Sequence, residues 1–270
     1  MNYQLLSMCL FFSALLSFGL GVESILQSAE KSQGNVNEYK AETFQASNGL
    51  ELGYRILSPK EVSAEAKYPL VLFLHGAGER GDDNQKQLVH VAKEFAKNEM
   101  MERYPCFVVA PQCPTDKRWV EVDWGAAAHT MPETPAVPLS ATFELLNRLN
   151  DELPSDPQRI YVCGLSMGGF GAWDAIQRHP ELFAAAVPIC GGGDPAFAKH
   201  IEDIPVWVFH GDQDGAVQVK RSREMVNALS KLDSDVIYTE YPGVGHNCWT
   251  MTAENRLVWD WLFAQVKDED

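Results

Sequence analysis

The chain has 270 residues, 46% of them hydrophobic and 22% charged, enough apolar material for the core of one large α/β domain or two small ones. A formal net charge of −15 argues against nucleic acid or an anionic membrane surface as partner, because both are held through an excess of Lys and Arg. An uncharged substrate is left open.

From Leu5 to Val22 the residues are almost all apolar, and the polar stretch Gln27 to Lys40 follows. Ser17, Gly19, Gly21 and Ala29 offer small residues for cleavage. Residues 1–27 therefore read as a secretory signal peptide, which would place the protein in the periplasm or outside the cell. The alternative is a retained membrane anchor over 5–22, since Met-Asn-Tyr-Gln supplies only the α-amino charge ahead of the run. Residues 28–41 read as a linker and 42–266 as the folded domain. Beyond the leader stand Cys106, Cys113, Cys163, Cys190 and Cys248, an odd set whose spacings match no CxxC metal or redox pattern. Their pairing is not legible.

Thr43 to Ala46 and Leu50 to Leu57 are strand-like and flank Ser47-Asn48-Gly49, an Asn-Gly hairpin signal. Short apolar runs then recur at Pro69–Leu74, Cys106–Ala110, Arg159–Cys163, Ala185–Ile189, Val206–Phe209 and Val236–Tyr241. Continuous rather than alternating hydrophobicity marks strands covered on both faces, as in a parallel sheet. Helix-like segments separate them: Gln85–Lys97, Ser140–Glu152, Met167–Arg178, Val219–Lys231 and Ala253–Val266. The alternation predicts a doubly wound, mostly parallel α/β sheet entered through an antiparallel hairpin. The stretch Pro111 to Leu139, with five prolines and with Trp119 and Trp124, is too long for a simple connection.

In Gly164-Leu-Ser-Met-Gly-Gly169 three glycines surround Ser166, where a strand-like run hands over to a helix-like one. A serine on so sharp a turn needs bare neighbours, because strand and helix backbones approach closely there. The turn exposes the Ser166 hydroxyl and aims the Met167 amide at an oxyanion formed beside it. A plain N-cap serine in a tight turn is the simpler reading, so a base and an acid must follow in order. His246 lies on a loop after the last strand, and Asp212 and Asp214 follow Val206–Phe209. Asp214 is preferred as the acid for being further out on its loop, with Asp212 bracing the turn. His75 and His210 each follow a strand and precede a glycine, and both read as structural. In Leu74-His-Gly-Ala-Gly-Glu-Arg-Gly81 the glycines let backbone curl toward the site, with Ala77 N–H as second oxyanion donor and Gly76 or Gly78 as fallbacks. The loop lacks both the Gly-Lys-Ser/Thr of a P-loop and a full G-x-G-x-x-G. Glu79 and Arg80 read as an ion pair stiffening it, with contact to the substrate as the alternative.

With LHGAGERGDDN (74–84), APQCP and Trp119 (110–119), GLSMGGFGAWD (164–174), HGDQDGAV (210–217) and YPGVGHNCW (241–249), the chain resembles the α/β-hydrolases. More narrowly it is similar to a bacterial group labelled phospholipase/carboxylesterase or "predicted peptidase", related to feruloyl and acetyl-xylan esterase-like proteins. The resemblance covers about residues 42 to 266. It implies Ser166 as nucleophile, Asp214 as acid, His246 as base, and Ala77 and Met167 as oxyanion amides.

Three functions compete. The first is a secreted carboxylesterase that cleaves small or carbohydrate-linked esters through an acyl-enzyme on Ser166. The second is a serine peptidase of prolyl-oligopeptidase type; the third is a hydrolase fold kept as a binding module. Trp119 and Trp124, with Trp249, either line an acyl or sugar pocket or plug the core edge. No long apolar lid argues for a lipase, and neither cofactor nor metal is expected.

Overall fold

The computed structural model describes residues 34–63 and 65–267. The leader or anchor expected over residues 1–27 lies outside them. Packing begins earlier than the expected linker boundary at 41. Tyr39 is buried, and its hydroxyl donates to the Ala92 carbonyl at 2.9 Å.

Eight strands form one sheet: β1 (Lys40–Gln45), β2 (Glu51–Leu57), β3 (Tyr68–Leu74), β4 (Phe107–Pro111), β5 (Ser155–Leu165), β6 (Ala185–Ile189), β7 (Val206–Gly211) and β8 (Val236–Tyr241). Their spatial order is β1-β2-β4-β3-β5-β6-β7-β8. β1 pairs antiparallel with β2, and β2 with β4; every later pair is parallel. The expected doubly wound sheet with an antiparallel entry is what the chain adopts. In the hairpin turn only Gly49 takes positive φ, at 86°.

The pleat sorts each buried strand onto two faces. Leu70, Leu72, Leu74, Ile160 and Val162 pack against the helices Val137–Glu152, Met167–Arg178 and Lys220–Ser230. Val71, Phe73, Tyr161, Cys163 and Val187 pack on the other side against Val91–Phe95, Asn98–Arg103 and Arg256–Ala264. That is why these strands read as unbroken apolar runs. Among the described residues no helix is long and apolar enough to cross a membrane.

Two expected helices are broken. Over 85–97 a 3₁₀ turn, Lys86–Leu88, precedes the short helix Val91–Phe95, because His90 sits at φ 63°, ψ −122°, which no right-handed helix accommodates. Over 253–266 the chain forms Trp249–Glu254 and Arg256–Ala264, and the Asn255 side chain accepts from the Leu257 amide to start the second.

The long stretch after β4 is tied down rather than loose. The Trp119 indole donates to the His75 carbonyl (3.0 Å), the Met131 amide to Asp194 (2.8 Å), and Gln218 to the Gly125 carbonyl (2.9 Å). Arg178, held by a buried ion pair to Asp174, also donates to the Pro132 carbonyl.

Candidate active site

Four loops leave the carboxyl ends of β3, β5, β7 and β8 and meet at one edge of the sheet. At the end of β5, Ser166 adopts φ 53°, ψ −117°, a conformation L-residues rarely take. The bare neighbours are sterically required. A Cβ on Gly164 would stand 2.0 Å from the Gly168 carbonyl oxygen, and one on Gly168 would stand 1.9 Å from that of Leu74. Strand, turn and helix therefore touch backbone to backbone. The Ser166 amide donates to the Ile189 carbonyl at 2.9 Å, pinning the turn to the end of β6.

The Ser166 hydroxyl lies 2.8 Å from His246 Nε2, and His246 Nδ1 lies 2.7 Å from Asp214 Oδ2. A carboxylate accepts, so Nδ1 carries the hydrogen and Nε2 is free to accept the serine proton. The Asp214 side chain is fully buried and the His246 ring is 26% exposed. Burial by itself pushes the Asp214 carboxyl up. Hydrogen bonds from His210, His246 and the Val217 and Ala216 amides outweigh it and hold the carboxyl well below the usual range. Asp214 is an anion whose partners are all in place.

The loop bearing His246 is seated on β7. Gly211 admits it, since a Cβ there would lie 2.3 Å from the Val244 carbonyl oxygen. Asp212 does not join the relay; its Oδ1 accepts from the Gly243 amide at 2.7 Å, bracing the His246 loop rather than its own turn.

Gly76 brings the loop after β3 against the serine: a Cβ there would sit 3.7 Å from Ser166 Cβ. Ala77 opens a 3₁₀ turn and Met167 opens the helix Met167–Arg178, neither with a side-chain cap, so both first-turn amides stay unpaired. His75 holds this loop. Its Nε2 accepts from the Cys113 amide at 2.9 Å and its Nδ1 donates to the Gly76 carbonyl at 2.6 Å. Burial pulls the His75 imidazole down to about 4, so it stays neutral.

Several sequence expectations are corrected here. Glu79 and Arg80 do not pair with each other. Glu79 faces His90 at 3.6 Å, while Arg80 donates to the Ala77 carbonyl at 2.8 Å and stacks over Trp124. Trp119 lines no pocket: it is 0% exposed, with its Cβ against Gly171, because a buried indole N–H needs the acceptor that His75 provides. Trp124 is half-buried between Arg80 and Arg118, and Trp249 stands edge-on to His246 with ring centroids 5.2 Å apart. Of the two, Trp249 is the one in ring contact with the relay.

Sequence reasoning missed two neighbours. His210 Nε2 reaches Asp214 Oδ2 at 3.1 Å, a contact that strand-to-loop spacing does not reveal. Cys190, at φ 42°, offers a sulfur within 4.8 Å of Asp214 and His246 donor atoms. Burial, then the adjacent Cys248, push its thiol well above the usual range, leaving it a protonated and poor ligand. All five cysteines from Cys106 to Cys248 are buried free thiols.

The sheet order and the elbow at Ser166 define an α/β-hydrolase. Residues 46–254 match the family model described as "Putative esterase", and the chain belongs to that family. Among curated proteins it is similar to a rice (Oryza sativa subsp. japonica) protein described as "Probable carboxylesterase", 27% identical over 204 residues, covering 68% of this chain and 84% of that one. A carboxylesterase of Arabidopsis thaliana is 21% identical over 217 residues, covering 73% and 90%. The solved structure of a thermostable esterase superposes with a TM-score of 0.81 at 43% identity, covering 86% of this chain. The chain spans 64% of that esterase's length. The chain is thus a carboxylesterase-type α/β-hydrolase.

Proposed function

We propose that the protein is a serine carboxylesterase that works through an acyl-enzyme on Ser166. The observation that carries this reading is the unbroken relay Ser166–His246–Asp214, at 2.8 and 2.7 Å, beside two unpaired amides. His246 Nε2 takes the hydroxyl proton as Ser166 Oγ attacks the ester carbonyl, and Asp214 holds the imidazolium that results. The amides of Ala77 and Met167 receive the oxyanion. His246 returns the proton to the leaving alcohol, then activates the water that releases the acid.

The substrate proposed is a small or carbohydrate-linked ester. Trp249 supports it, because its ring stands beside His246 and indole faces stack on sugar rings. Export through the apolar run Leu5 to Val22 is part of the same proposal, and the N-terminal residue of the protein recovered from its producing cells tests it. For the chemistry, p-nitrophenyl acetate, butyrate and octanoate are compared with acetylated xylan and a peptide anilide, using Ser166→Ala as control. Ester turnover that vanishes in Ser166→Ala supports the proposal. Anilide turnover would select a peptidase, and no turnover by a folded protein would select a binding module.

A further inference from the structure

The carboxylate that holds His246 is gripped by a second histidine. Asp214 Oδ2 lies 2.7 Å from His246 Nδ1 and 3.1 Å from His210 Nε2, while Oδ1 accepts from the Ala216 and Val217 amides at 2.8 and 2.9 Å. His210 Nε2 also faces the Val217 carbonyl at 3.0 Å. Both neighbours of Nε2 are acceptors, so that nitrogen carries the hydrogen. His210 Nδ1 sits 2.7 Å from the Ser222 hydroxyl, and in the neutral ring it accepts from it. Ser222 is wholly buried on the helix Lys220–Ser230 and also lies 3.3 Å from the Gly191 carbonyl, in the loop after β6. The second imidazole is 0% exposed and joins β7 to that helix at the acid's own oxygen.

We propose that His210 is a positioning residue for the ester reaction: it fixes Asp214 Oδ2 against His246 and takes up part of that oxygen's negative charge. This rests on the reading of Ser166, His246 and Asp214 as the reacting set. Without His210, only the mobile His246 N–H would restrain Oδ2 from turning about the Cβ–Cγ bond; the His210 N–H, shared with the Val217 carbonyl, adds a restraint from a ring fixed in the core. Because the oxygen divides its charge between two N–H groups, it holds the imidazolium of the transition state less tightly than an unshared carboxylate would.

The charged and titratable groups around His210 are few. Asp214 is in contact, His246 lies beyond it, and Cys190 stands near Asp214 at the end of β6. Glu240 is His210's register partner on β8, but its carboxylate is engaged by Arg223 at 2.6 and 2.8 Å. Asp214 is the one acid that His210 touches among the described residues.

His210→Leu removes the donor, and His210→Gln restores an N–H at the Nε2 position. Both are assayed on p-nitrophenyl acetate, with near-UV circular dichroism as the check of folding. In His210→Leu, kcat should fall about ten-fold or more, as for loss of one charge-assisted hydrogen bond, with KM within about two-fold. The acid limb of kcat/KM against pH should move to higher pH, since Asp214 then holds the imidazolium undivided. His210→Gln should recover most of kcat and bring the limb back. A merely structural histidine would lower the melting temperature without moving the limb. A folded His210→Leu enzyme with unchanged kcat and limb, or His210→Gln no better than Leu, overturns the proposal. Where His210→Leu does not fold, Ser222→Ala, which frees Nδ1, decides: a shifted limb supports the proposal and an unshifted one overturns it. Loss of ester turnover in Ser166→Ala is read separately, so failure of the esterase reading and failure of this one are distinguishable.

Discussion

At Ser166 the backbone holds φ 53°, ψ −117°, and a residue kept there costs of order 1–3 kcal/mol. That strain aims the hydroxyl at His246, and the bare positions around it make the turn possible. Gly168→Ala would drive a Cβ to within 1.9 Å of the Leu74 carbonyl oxygen, which is backbone and cannot swing aside. Its expected effect is a loss of ester turnover together with a lowered melting temperature, read by steady-state kinetics and thermal denaturation. Asp214→Asn tests the electrostatic part separately. The amide keeps the shape but removes the charge and can present a donor to His246 Nδ1, so kcat should fall by about 10⁴ with folding intact. A variant within ten-fold of wild type would rule out the relay as drawn.

The stretch from Pro111 to Leu139 shows how an element with no regular pattern is ordered by its partners. Trp119 is buried against Gly171 and bonded to His75, so it couples this stretch to the loop that carries Ala77. Trp119→Ala leaves a cavity and an unpaired carbonyl, about 3–5 kcal/mol of destabilisation. At ~2–4 °C per kcal/mol for a domain of this size, the melting temperature should drop by about 6–20 °C. The ranking of acetyl, butyryl and octanoyl esters should survive, because Trp119 touches no substrate. Trp249→Ala should do the reverse, changing KM and ranking with less loss of stability, since its ring is partly exposed and stands edge-on to His246. Substrate profiles of the two variants separate the roles.

Across the whole molecule, acid stability follows from the buried imidazoles. His75 is held down to about 4 by burial, below its unfolded value of about 6.5. The unfolded chain therefore takes up its proton first as pH falls. His75 contributes fully above about pH 6.5, and its contribution is lost between there and about 4, an amount of about 3 kcal/mol. His129, lowered by burial and by Arg221, adds in the same direction. Below pH 4 the carboxylates of Glu240 and Asp260, each held down to about 2, lose their contribution in turn. Urea midpoints should fall steadily from pH 7 to pH 4.5, and a flat profile over that window would contradict the assignment.

The residues themselves determined the sheet, because a strand covered on both faces has no polar side to show and Pro69–Leu74 or Arg159–Cys163 could be little else. They also marked the elbow at Ser166, since three glycines around one serine at a strand-to-helix junction signal close backbone approach, although only Gly164 meets a neighbour within the motif and Gly168 and Gly169 are required by Leu74 and Ile189. Only the tertiary structure decided what lies between distant segments. Trp119 became core and Trp249 came to stand edge-on to His246, because a carbonyl from β3's loop reached one and His246 the other. The helix expected through His90 broke, since φ at that residue answers to packing against Trp249 and Glu79 rather than to helical spacing. His210 read as a turn histidine because nothing in HGDQD tells which way a side chain at the end of a strand points. Local sterics can be read from a few consecutive residues. Contacts between loops depend on how far each strand carries its end, and that is set by the packing of the entire sheet.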